Sequence, residues 1–220
     1  MRIDFFGLHA PLGLRTNFLK MDSNYGNKQK HESKNPIQQF LLNRFKSQVY
    51  RLVNQADPQS VLEVGCGEGY MLDVLARRGV RASLTGVDIS ETAIEDARKR
   101  LGSRVILEQK DARDLADDKR KFDVVMMLEV LEHIPQPELI LPVLDQLTTR
   151  YVVLSVPWEP MFRGLNFLRG KYVDDWGNHP EHINHWGRRE FIRLVQRRFE
   201  LIEAPMVAPW TLVFAQKRTE

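Results

Sequence analysis

One ten-residue stretch restricts the fold more than any other: Val61-Leu62-Glu63-Val64-Gly65-Cys66-Gly67-Glu68-Gly69-Tyr70. A short apolar run carries one carboxylate near its end, and three glycines follow at alternate positions. The run reads as a buried parallel strand that turns sharply into a helix. Glycines let such a turn take unusual backbone angles and let a ligand come close to the main chain. A second strand-like run, Ser83-Leu84-Thr85-Gly86-Val87-Asp88, ends in an acid placed to hold a ribose. A glycine loop paired with a distant acid of this kind points to a nucleoside-bearing cofactor.

The loop narrows the choice of nucleoside. Its spacing is G-x-G-x-G, whereas the nicotinamide fingerprint is G-x-G-x-x-G. No Lys-Ser or Lys-Thr follows, which excludes the phosphate-cradling P-loop. Glu63 and Glu68 flank the glycines, and negative charge there suits a cationic ligand. S-adenosylmethionine, with its sulfonium and amino groups, fits.

From Val61 to the C-terminus the chain resembles the class I S-adenosylmethionine-dependent methyltransferases. Glu63-Val64-Gly65-Cys66-Gly67-Glu68-Gly69 is similar to the first motif of that family, and Gly86-Val87-Asp88-Ile89-Ser90 to the second, whose acid binds the ribose hydroxyls. Lys110-Asp111-Ala112 is similar to the acidic motif on the adenine side. Phe122 to Ile134 is similar to the fourth-strand motif. Its form, with Leu131-Glu132-His133 after the strand, is typical of a branch that includes quinone-biosynthesis and many small-molecule enzymes. The resemblance implies an α/β, Rossmann-like doubly wound fold. Its sheet would be mostly parallel and seven-stranded, with helices on both faces and a reversed last strand. It also implies that S-adenosyl-L-methionine contacts Glu63, Gly65, Cys66, Gly67, Gly69, Asp88, Ile89, Asp111, Ala112, Leu128 and Glu129. At Glu129 the backbone is the expected contact, with the side chain free for another task. Cys66 reads more simply as a small residue filling a tight turn, and Glu63 as a residue that organises the glycine loop or reaches the methionine amino group through water.

A chain of 220 residues holds one α/β domain with a full core. No apolar run approaches the ~20 residues that span a bilayer, and the N-terminus lacks a signal-peptide pattern. The single cysteine forms no intramolecular disulfide, so the expected compartment is cytoplasmic. A net charge of +3 does not argue for nucleic acid. Oligomeric state is left open.

Residues 1–34 read as an N-terminal arm and residues 35–220 as the methyltransferase-like domain, with an acceptor-side insert at 157–186. Asn35-Pro36-Ile37-Gln38 predicts a helix start with a capping box. Ile37, Phe40, Leu41, Phe45, Val49, Leu52 and Val53 form the apolar stripe of that helix. The arm is open to a role in closing over the cofactor or acceptor. Beyond Val61, runs of strand and helix alternate. Strands are expected at Val105-Ile106-Leu107, Asp123 to Leu128, Tyr151 to Val156, Leu201-Ile202 and Thr211 to Ala215. Helices are expected over Tyr70 to Arg78, Ser90 to Leu101, Pro137 to Leu147 and Arg188 to Arg198.

Methyl transfer needs alignment and exclusion of water, and a base where the acceptor keeps its proton near neutral pH. His133, just past the fourth strand, is the catalytic candidate; its plain alternative is a loop-shaping role. No second cysteine supplies the nucleophile for cytosine C5 chemistry. No Asn-Pro-Pro-Tyr-like run follows the fourth strand. The expected acceptor is therefore a small molecule, methylated at oxygen first, and not a nucleic acid. The aromatic-rich insert supplies Trp158, Trp176, His182 and His185 as acceptor-binding candidates. Its apolar and basic residues also fit a membrane-surface enzyme acting on a lipid or quinone precursor. A cofactor-binding partner subunit is the non-enzyme alternative. His179, His182 and His185 do not converge at helical spacing, so no metal is expected.

Overall fold

The computed structural model describes residues 28, 30–158 and 183–219. Trp176 and His182 therefore lie outside the described residues, as do most of the insert and most of the arm.

Among the described residues eight strands form one sheet: β1 (Ser60–Val64), β2 (Ser83–Asp88), β3 (Ile106–Gln109), β4 (Phe122–Leu128), β5 (Thr148–Pro157), β6 (Phe199–Glu203), β7 (Met206–Val207) and β8 (Trp210–Lys217). Their order is β3-β2-β1-β4-β5-β8-β6, with β7 paired to β8 off this path. The first five strands run parallel. β8 runs antiparallel to β5 and β6. This is the expected doubly wound sheet with a reversed last strand, and the two-residue β7 is an addition to the expected seven. The chain leaves β1 toward β2 on one side, then crosses back to place β4 on the other. That reversal opens a crevice at the carboxyl ends of β1 and β4, where ligands of open α/β sheets bind.

Strand alternation divides the core. Val61, Val124, Met126 and Val153 face one side; Leu62, Val64, Val125 and Met127 face the other. The first side packs under α1 (Pro36–Ala56), α2 (Tyr70–Arg77) and α3 (Glu91–Leu101). The second packs under α4 (Ile140–Leu147) and α5 (Arg188–Gln196).

The start of α1 is capped as its sequence predicts on one side only. Asn35 Oδ1 accepts from the amides of Ile37 and Gln38 at 3.0 and 3.2 Å. The Asn35 amide donates to Ser33 Oγ at 3.2 Å. The buried stripe is Leu42, Phe45, Val49, Leu52, Val53 and Ala56, whereas Ile37 and Phe40 are 65% and 64% exposed. The reason is angular: at 100° per residue Phe40 points opposite Val49. The expected helix from Pro137 begins instead as a 3₁₀ turn, Pro137–Leu139, and becomes α4 at Ile140. No described helix is long and apolar enough to cross a membrane.

Candidate active site

The glycine loop joins β1 to α2 and is stitched to the end of β2. The amides of Gly65 and Cys66 donate to Val87 O at 2.8 and 3.0 Å. Asp88 completes the join. Its Oδ2 accepts from the Gly67 amide at 2.8 Å and its Oδ1 from the Ser90 amide at 2.9 Å. Burial raises the Asp88 pKa, and the amides of Ser90, Gly67 and Ile89 work against that rise. The Lys110 amide donates to Asp88 O at 2.9 Å, which ties in the third motif.

Three glycines have no room for a side chain, and two of them also have a positive φ. Gly65 (φ 74°) and Gly69 (φ 73°) sit in the left-handed region. A Cβ on Gly65 would lie 2.4 Å from Val130 Cγ2, and one on Gly69 would lie 2.6 Å from Leu101 Cδ1. Between them Cys66 is buried, and a Cβ on Gly86 would meet its sulfur at 2.8 Å. Burial first, then the Glu63 and Asp88 charges, push its thiol pKa well up.

Glu63 is 3% exposed at the end of β1, and its Oε2 has no hydrogen-bond partner. Burial, then the neighbouring Asp88 charge, raise its pKa to about 8. At neutral pH burial therefore favours the protonated carboxyl. Ile89, just past Asp88, is 55% exposed, an open apolar surface at a strand end. Asp111 sits at the same end of the sheet, past β3. Its Oδ1 caps the Arg113 amide at 2.8 Å and the Arg113 guanidinium pairs with it. Those bonds hold its pKa down. Ala112 begins the turn that Asp111 caps.

Leu128 ends β4, and Glu129 follows with φ 55°, a backbone state rare for a residue with a side chain. Its amide donates to Ser155 O at 3.0 Å. His133 closes a 3₁₀ turn, Leu131–His133, its amide donating to Val130 O at 3.0 Å. The returning end of the insert is pinned to that turn. The amides of Ile183 and Asn184 both donate to Glu132 O, at 2.9 and 3.1 Å, and Asn184 Nδ2 donates to Ile134 O at 2.6 Å. The exposed His185 follows directly. At the departing end, the Trp158 amide donates to Pro209 O at 2.8 Å. Among the described residues no group of three or more His, Cys, Asp or Glu could hold a metal; His179 and His182 lie outside them.

Several residues near this crevice escaped the sequence reading. Lys30 pairs with Glu129 and lies 5.0 Å from the Trp210 ring centroid. His31 stacks on Tyr70, with centroids 3.9 Å apart and rings 5° from parallel. Burial, aided by Lys46, Lys30 and Arg100, lowers the His31 pKa to about 2. Ser155 Oγ and Trp210 Nε1 are buried without hydrogen-bond partners. For Ser155 a signal existed: a polar residue inside Val152-Val153-Leu154-Ser155-Val156, as Glu63 is inside its own apolar run. For Lys30, in a polar basic stretch, none did.

A doubly wound sheet with this glycine loop and ribose-side acid defines a nucleoside-cofactor enzyme, and comparison fixes which. A family model described as "Methyltransferase domain" matches residues 37–203. The chain belongs to that family and is a class I S-adenosylmethionine-dependent methyltransferase. It is 42% identical over 81 residues to a ubiquinone biosynthesis O-methyltransferase of Alkalilimnicola ehrlichii, covering 35% of this chain and 32% of that protein. It is 42% identical over 83 residues to the protein of the same name from Thiobacillus denitrificans, covering 36% and 35%. The matched stretch thus spans only about a third of these curated relatives. Among solved structures, magnesium protoporphyrin IX methyltransferase of Synechocystis PCC 6803 with bound SAH aligns with a TM-score of 0.64 and 20% identity, over 87% of this chain and 92% of that one. The plantazolicin methyltransferase aligns with a TM-score of 0.68 and 16% identity, over 87% and 88%. At such identities these two likenesses speak for the fold.

Proposed function

We propose that the chain transfers a methyl group from S-adenosylmethionine to a hydroxyl oxygen of a small-molecule acceptor. One observation carries the reading: the buried Glu63 carboxyl, whose Oε2 has no hydrogen-bond partner among the described residues, and the Asp88-stitched glycine loop meet at the crevice of the sheet. A positive charge arriving beside the Glu63 carboxyl would favour its ionised form, so the site suits a ligand that brings one. The tight glycine backbone suits one that lies against the main chain.

The residues present are of the kinds the cofactor needs. Asp88 would hold the ribose hydroxyls with the lone pairs its amide donors leave over. Ile89 and Ala112 would offer apolar surface to the adenine, and Asp111 an acceptor to its amino group. Gly65, Cys66, Gly67 and Gly69 would offer main chain to the methionine part, together with Leu128 and the Glu129 backbone. When bound, the cofactor supplies a methyl carbon already activated by a sulfonium, so the protein has mainly to align and to dry the site. His133 takes the acceptor's hydroxyl proton, a task that suits imidazole near neutral pH. Trp158 and His185, together with Trp176 and His182 of the insert, hold the acceptor. Oxygen is favoured by the relatives named as O-methyltransferases.

The test begins with calorimetry of the purified chain and S-adenosylhomocysteine, where a dissociation constant in the micromolar range, about −8 kcal/mol, is expected. A screen with methyl-labelled cofactor and candidate hydroxylated acceptors then follows. Absence of binding rejects the reading. Binding without transfer by the chain alone favours a partner subunit.

A further inference from the structure

Three polar atoms without hydrogen-bond partners gather beyond the glycine loop: Ser155 Oγ, Trp210 Nε1 and Glu129 Oε1. Ser155 is fully buried and Trp210 is 6% exposed. Strand register brings them together. Ser155 pairs with Leu128 of β4 on one side and Leu212 of β8 on the other, and Pro157 pairs with Trp210. Residues two apart on a strand share a face, so Ser155 and Trp210 lie on the α1 side of the sheet. The Glu129 amide is bonded to Ser155 O. Lys30 closes the group, its ammonium on Glu129 Oε2 and over the Trp210 ring. Buried polar atoms without partners are rare in folded chains, and three around one ion pair mark the place of a polar ligand.

Position says which ligand. Asp88 ends β2, and the glycine loop follows β1. The three atoms stand at the ends of β4, β5 and β8, across β1 from the ribose acid. That is the far side of the crevice from the nucleoside.

We infer that this cluster receives the reacting end of the acceptor, a hydroxyl with a second oxygen beside it, an assignment that rests on the methyltransferase reading above. The donor set selects that chemistry. Glu129 Oε1 accepts, Trp210 Nε1–H only donates, and Ser155 does either. A hydroxyl donates to Glu129, and a neighbouring oxygen accepts from Trp210 or Ser155. An amine is disfavoured, because Lys30 already occupies the carboxylate and the ring face that would hold a cation.

The test uses the whole chain, saturated with S-adenosylhomocysteine, with its four tryptophans labelled with nitrogen-15. Catechol is the probe for adjacent hydroxyls and benzylamine the probe for a cation. Trp210→Phe assigns the Trp210 indole signal. Catechol should shift that signal saturably and benzylamine should not. Ser155→Ala should weaken catechol about tenfold, the loss of one hydrogen bond, with the other indole signals unmoved and S-adenosylhomocysteine affinity retained. No catechol shift, or a shift with benzylamine in its place, overturns the assignment. So does a loss of S-adenosylhomocysteine affinity as large as that of catechol, which would give these atoms to the cofactor. Failure of the wild-type chain to bind S-adenosylhomocysteine would defeat the parent reading, and this assignment with it.

Discussion

The Gly67 amide donates to Asp88 Oδ2 at 2.8 Å, which ties the glycine loop to the end of β2. Asp88 thus shapes the loop and, on the proposed reading, also faces the ribose. Asp88→Ala should lower S-adenosylhomocysteine affinity about 100-fold, since both the ligand's hydroxyls and the loop amide lose their acceptor. Asp88→Asn, which keeps one carbonyl oxygen, should lose less. Calorimetry on both variants decides; equal losses would mean that charge alone matters.

Gly65→Ala should destabilise the chain by about 1–3 kcal/mol, the range for a side chain forced into a sparsely populated backbone region. Part of the cost is contact with Val130, 2.4 Å from the added carbon. In a Val130→Ala background the same change should therefore cost less. Urea unfolding of the four proteins gives the coupling, and strict additivity would remove Val130 from the account.

Glu63 predicts a pH dependence of stability. Its carboxyl titrates at 4.5 ordinarily and at about 8 in the folded chain. Between those values the folded chain holds a proton that the unfolded chain has lost, so stability falls as pH rises through this window and levels off above it. Glu63→Gln imitates the protonated state. Near pH 5 the two proteins should melt alike. By pH 9 the variant should be more stable, by on the order of a few kcal/mol. Melting curves that stay parallel from pH 5 to 9 would contradict this.

His133→Ala should lower turnover about 100-fold and recover in part as pH rises, when the acceptor sheds its own proton more readily. Near-normal turnover with a flat pH profile would take His133 out of the chemistry.

Trp158→Ala should raise the KM for the acceptor while leaving S-adenosylhomocysteine affinity close to that of the parent chain. The Trp158 backbone is fixed to Pro209 O beside β8, so loss of the ring acts locally. An equal fall in both affinities would place this residue at the cofactor.

What could be read from the sequence, and what could not, follows the range of the interactions involved. The glycine loop, Asp88 and the strand alternation are local patterns: the loop follows β1, Asp88 ends β2, and the parallel strands form the sheet. Phe40 was misassigned to the buried face because apolar character was weighed without angle. β7 was missed because two residues, Met206 and Val207, carry no period. The pairing of Lys30 with Glu129 spans 99 residues, and nothing near either residue announces it. Trp210 lies one residue before the apolar run read as the last strand, and its missing partner is visible only in three dimensions.

Cys66 has a practical consequence. The only thiol in the chain is buried within the glycine loop, with its pKa well raised. Thiolate-seeking reagents react slowly with such a group. The wild-type chain is thus already a nearly silent background for maleimide chemistry. A cysteine placed at an exposed position such as Leu139, 61% exposed, would take a fluorophore or spin label at one address, and acceptor arrival could be followed without first removing a native residue from the cofactor loop.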